Sequence, residues 1–112
     1  MTIIEKHDIE IERYISRIIR LTAKHTGAGV NEIDDAKTRR KALDVFARTV
    51  AMAATMQFVG LTKRATARRF GYADHSTVAY LLKRFRADGD IAAKVEAVCD
   101  KANVRDTLFS AA

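Results

Sequence analysis

Not one proline interrupts the 112 residues of this chain, and glycine occurs at only five positions. Proline removes a backbone donor and clashes with the preceding helical turn, and glycine costs backbone entropy, so these residues usually punctuate a chain. With so little punctuation the segments between turns are long, and their apolar side chains repeat at helical spacing. The fold class expected is therefore all-α, a compact bundle of about six helices within one domain spanning 1–112. At 48% apolar and 30% charged residues, the chain has the balance of a folded domain rather than a disordered tail.

The first helix is expected over about 7–25, where Ile11, Ile15, Ile18, Ile19 and Thr22 share a face. Gly27-Ala28-Gly29 ends it, and Asn31 is expected to cap a short helix over 32–36. A long helix follows over 39–59. Its stripe of Leu43, Phe46, Ala47, Val50, Ala53 and Ala54 is widened by Val45, Met52, Met56 and Val59, which marks it as the central helix. After Gly60, Thr62 is placed to cap a helix over 63–70, and Asp74 to cap another running to Arg86. Val78, Leu81, Leu82 and Phe85 give that helix its core face. A last helix is expected over 91–102, with 104–112 adding a turn or fraying.

Charge is unevenly spread. Residues 37–86 hold twelve Lys or Arg against only Asp44 and Asp74, a net charge of +10, while the flanks hold eight basic and twelve acidic residues. A positive middle of this kind suits a polyanion, although a solvated surface has the same composition.

The segment 62–85 has the layout of a helix-turn-helix: a short helix, a turn containing Gly71, and a longer helix. In that motif the second helix enters the major groove and its first residues meet base edges. Here those residues are His75, Ser76 and Thr77, each short and able to exchange hydrogen bonds. Asp74 can accept from the free amides of the first turn, and Lys83, Arg84 and Arg86 can neutralise phosphate. On pattern alone, a capped amphipathic helix with a polar start reads equally well.

The run Phe70-Gly71-Tyr72-Ala73-Asp74-His75-Ser76-Thr77-Val78 resembles the signature of the C-terminal DNA-binding domain of the bacterial chromosomal replication initiators, the DnaA family. Asp74 to Val78 matches that signature throughout, and the resemblance extends over about 14–86, leaving the last helix as an addition. It implies a Trp-repressor-like helix-turn-helix that reads a short duplex sequence, the initiator box. Carried over by position, it implies that His75, Ser76 and Thr77 contact bases or nearby phosphates, and that Asp74 contacts a base or holds the helix start. It gives Arg40 to the minor groove, Lys41 and Arg48 to phosphate, and Lys63 and Arg64 to the backbone at the first motif helix. The chain departs from the family at Lys63-Arg64, usually leucine-proline, at Thr66, usually isoleucine, at Thr49, usually glutamine, and at Met56, where a basic residue is common.

Other chemistries are poorly served. No G-x-x-x-x-G-K-[ST] phosphate loop occurs, so nucleotide use of the initiator kind is not expected, and the chain reads as a free-standing module of bacterial or phage origin. His7, His25 and His75 are far apart and form no metal-ligand spacing, and no nucleophile–base pair is evident, so neither cofactor nor catalysis is expected. Cys99 is alone, no signal peptide or apolar span is visible, and the expected location is the cytoplasm, at the nucleoid. Tyr14, Tyr72 and Tyr80 are read as packing residues before DNA contacts. The expected partner is double-stranded DNA, in replication or transcription control. A homodimer through the C-terminal helix, or a protein-interaction module acting on replication proteins, is the alternative.

Overall fold

The computed structural model describes the backbone at residues 3–37, 41–86 and 90–111, and side chains at 8–37, 41–86 and 91–102. Every described element is a helix, six in all. They are α1 (Ile3–Thr26), α2 (Val30–Asp34), α3 (Ala42–Phe58), α4 (Lys63–Arg69), α5 (His75–Arg86) and α6 (Asp90–Ala111). Among the described residues, none of these helices is long and apolar enough to cross a membrane.

The central helix is α3, which packs against all five others. Its face of small residues, Ala47, Ala51 and Ala54, is fully buried and lets neighbouring backbones approach closely. Ile15, Ile18 and Ile19 of α1 and Val95, Val98 and Cys99 of α6 close over the same core. Three threonines inside this core satisfy their own hydroxyls. Thr22 donates to the Ile18 carbonyl at 2.7 Å, Thr49 to that of Val45 at 2.7 Å, and Thr66 to that of Thr62 at 2.8 Å. A hydroxyl bonded one turn back carries its partner with it, so it can be buried without an unmet donor. Two of the departures from the family pattern, Thr49 and Thr66, therefore lie in the core.

Boundaries differ from the sequence expectation in four helices, α1 beginning at Ile3 rather than near 7. α2 begins at Val30, with Gly29 as its extended N-cap, and Asn31 lies inside the helix rather than capping it. The Glu32 carboxylate fills the space a side chain at Gly29 would take, so the helix start closes around glycine. α3 begins at Ala42 rather than at 39, and residues 38–40, including Arg40, lie outside the described residues. α6 continues to Ala111 instead of stopping near 102, since no glycine or proline follows Gly89.

Candidate nucleic-acid interface

Local chemistry sets the angle between α4 and α5. Thr62 caps α4 with its hydroxyl, which accepts from the Ala65 amide at 3.1 Å. At the other end Gly71 has φ +87°, a left-handed backbone that costs an L side chain energy. The Gly71 amide donates to Arg68 O at 3.3 Å and the Tyr72 amide to Ala67 O at 2.8 Å, the paired bonds of a Schellman stop. A β-carbon at Gly71 would also collide with the Asp35 carboxylate. The chain then reverses, and the Asp74 carboxylate accepts from the Ser76 amide at 3.0 Å to open α5. Ala67 and Phe70 meet Val78 and Leu81 in the core, and Phe46 of α3 meets Phe85 edge to face at 5.4 Å.

A buried arginine fastens this motif to the rest of the molecule. Arg48 is 1% exposed, in the middle of α3. One guanidinium nitrogen donates to the Tyr72 hydroxyl at 3.2 Å, and another to the carbonyls of Glu32 and of Asp35, the latter at 3.3 Å. Those carbonyls belong to the end of α2 and the residue after it, where helical acceptors lack intrahelical partners. The Ala36 amide donates to Phe70 O at 2.9 Å, and the Lys37 amide to the Asp35 carboxylate at 2.9 Å. The loop after α2 is therefore held directly against the turn of the helix-turn-helix. This corrects the expectation that Arg48 contacts phosphate: its charge faces inward, with acceptors already in place.

A second arginine braces α4. Arg69 forms ion pairs with Glu12 at 2.6 Å and Asp34 at 2.8 Å, tying α4 to α1 and α2.

The remaining described candidates all lie at the surface. Lys41, Lys63, Arg64, Asp74, His75, Ser76, Thr77 and Lys83 are exposed. A cleft lined by Arg64, Arg68, Asp74 and His75 brings α4 to the start of α5. An open groove runs between Lys37 and the side of α5, walled by Tyr72, Thr77 and Tyr80. The structure thus joins the α5 start to α4 on one side and to the loop before α3 on the other. Sequence reasoning passed over Arg68 and Lys37 as individual site residues. Arg68 lies one turn after Arg64, and that spacing was the available signal. The tyrosines divide: Tyr14 packs on Phe58 at 5.6 Å, Tyr72 holds Arg48, and Tyr80 is 62% exposed, against the packing role expected of it.

Chemically, the exposed start of α5 presents an imidazole and two hydroxyls at the positive end of a helix dipole, with cations around it. The His75 ring nitrogen lies 3.5 Å from the Asp74 carboxylate. Bonds from Ser76, first its amide and then its side chain, hold the Asp74 carboxyl below its ordinary value of 3.8, with the neighbouring His75 adding to the effect. A carboxyl with a lowered folded pKa stabilises the fold above its unfolded value and loses that contribution as pH falls through the lower folded one. The Ser76 amide resonance is therefore expected to titrate with a midpoint below 3.8, with amide exchange in the first turn of α5 rising as the carboxyl protonates. A midpoint above that value in an NMR titration contradicts the cap. Arg48→Met is expected to lower unfolding free energy by about 2–4 kcal/mol in urea, because buried acceptors lose their donor. A loss under about 0.5 kcal/mol, the size of an ordinary surface change, contradicts the fastening role.

Comparison with known proteins places this geometry. A family model described as the bacterial dnaA protein helix-turn-helix matches residues 15–84, well over half of the chain. A crystal structure of a DNA replication initiation factor superposes with a TM-score of 0.74 at 19% identity, covering 88% of this chain and 31% of that one. At that identity the likeness is one of fold, and the chain spans about a third of that protein's length. A search of curated proteins finds no match. The matched residues contain α4, the Gly71 turn and α5 almost entire, so the chain belongs to the bacterial DnaA helix-turn-helix family, a family of DNA-binding domains.

Proposed function

We propose that this chain binds double-stranded DNA sequence-specifically, at a site resembling the initiator box, and acts in the control of replication. The observation that carries the reading is the exposed, Asp74-capped start of α5, where His75, Ser76 and Thr77 stand clear of the core beside the cations of α4. A helix start of this kind fits the major groove, where base edges offer a distinct pattern of donors and acceptors for each pair. His75, Ser76 and Thr77 read bases or adjacent phosphates, and Asp74 keeps the first turn in register for them. Lys63, Arg64 and Lys83 bind the backbone on either side. Lys41 binds backbone phosphate from the N-cap of α3, and Arg40, the residue before it in the sequence, enters the neighbouring minor groove, a role suited to a narrow A·T-rich stretch. Arg48 contributes indirectly by holding the loop after α2 to the motif.

The test separates reading from gripping. A duplex selected from a random pool is titrated in a mobility-shift assay beside a scrambled duplex, at several salt concentrations. Affinity is expected to fall steeply with salt as phosphate contacts release counterions. Lys83→Ala is expected to weaken both duplexes alike. His75→Ala is expected to cost about 1–3 kcal/mol on the selected duplex and little on the scrambled one. A His75→Ala variant with unchanged selectivity contradicts the base-reading role, and salt-insensitive binding contradicts the phosphate grip.

A further inference from the structure

Tyr80 is the most exposed large hydrophobic residue among the described residues. The others, Ile9, Val30 and Leu43, are aliphatic, between 40% and 46% exposed, and scattered over three helices. Tyr80 alone lies on α5. The core face of that helix runs through Val78 and Leu81, which are buried, with Leu82 and Phe85 packed against the core. At 100° per residue, Tyr80 falls opposite that face, one turn beyond Ser76 and one turn before Lys83 and Arg84. It therefore occupies the middle of the outward stripe, between the polar residues at the helix start and the cations at its end.

Its ring also borders the groove between α5 and the residue-37 loop, with Thr77 beside it and Lys37 across. That groove measures about 510 Å³ and is open, so the ring is not confined by the protein on that side. A half-polar aromatic left in water at the centre of a DNA-facing helix has an apolar face unused in the free protein. Base edges in the major groove carry one apolar group, the 5-methyl of thymine.

On the reading proposed above, we infer that Tyr80 is a specificity-determining residue whose ring packs against a thymine methyl in the major groove. Four residues along a helix cover about 6 Å, and successive bases on a strand are about 3.4 Å apart. The thymine therefore lies about two base steps from the base edge nearest Ser76. The phenolic hydroxyl is dispensable for this contact, since the methyl meets the ring.

The experiment uses the full chain and the duplex it selects from a random pool, with each thymine replaced in turn by deoxyuridine. That replacement deletes the 5-methyl and leaves pairing intact. Burial of one methyl corresponds to about a fourfold change in affinity. The parent is expected to lose about that factor at one position or two adjacent ones. Tyr80→Ala is expected to bind thymine and deoxyuridine equally there, while Tyr80→Phe keeps the parental profile. Circular dichroism checks that both variants retain the parental helix content. A Tyr80→Ala profile identical to the parent's, or no deoxyuridine effect in the parent, overturns the inference and leaves sequence-specific binding standing. A Tyr80→Phe variant as weak as Tyr80→Ala also overturns it, assigning the contact to the hydroxyl and a backbone phosphate. A parent that selects no sequence at all overturns the reading beneath it.

Discussion

The guanidinium of Arg48 is the contact on which the geometry of the binding face depends. A cation taken out of water is stable only when acceptors replace its hydration, and here they come from two directions. The carbonyls of Glu32 and Asp35 approach from α2 and the residue after it, and the Tyr72 hydroxyl from the turn of the helix-turn-helix. None of these groups has strong reason to meet the others without the arginine. The carbonyls at a helix end need donors in any case, so the arrangement answers two needs with one side chain. Its position on the most buried helix lets it set both neighbours relative to the core.

Around that contact the loop after α2 and the recognition motif form one surface. The backbone bond from Ala36 to Phe70 and the fit of Gly71 against Asp35 attach the same loop to the same turn. Arg69, paired with Glu12 and Asp34, brings α1 into the same brace. Lys37 thus shares a groove with Thr77 and Tyr80 of α5, although they are distant in sequence. A helix start that reads base edges needs a fixed relation to the groups that grip the phosphates, because grip sets the register in which bases are read. The fold supplies that relation through buried polar contacts as well as through apolar packing.

Much of this was legible in the residues. Glycines at 27, 60 and 71 marked helix ends because their positions carry the left-handed backbone, and all three have positive φ. Asp74 was legible as a cap because a short carboxylate before an apolar-periodic run has few other uses. The fate of Arg48 was misread, since resemblance assigns a residue type to a role without its surroundings. A clue was present: Arg48 shares a face of α3 with Ala51, Met52 and Thr55, all of them buried. Asn31 was misread because a glycine two residues earlier can start a helix without a side-chain cap, and sequence does not say which start wins. Tyr80 was assigned to packing because tyrosine usually packs. Only its angle on α5 relative to Val78 and Leu81 reveals the ring in solvent.

The central claim is that the start of α5 and the basic loop before α3 act as one DNA-binding face, and amide hydrogen exchange tests it most directly. The chain is compared free and saturated with its selected duplex, and protection is mapped along the backbone. The account predicts that binding slows exchange together in 74–84 and in 36–42, with α1 and α6 little changed. Protection confined to α1 or α6, with the α5 start exchanging as in the free chain, contradicts it.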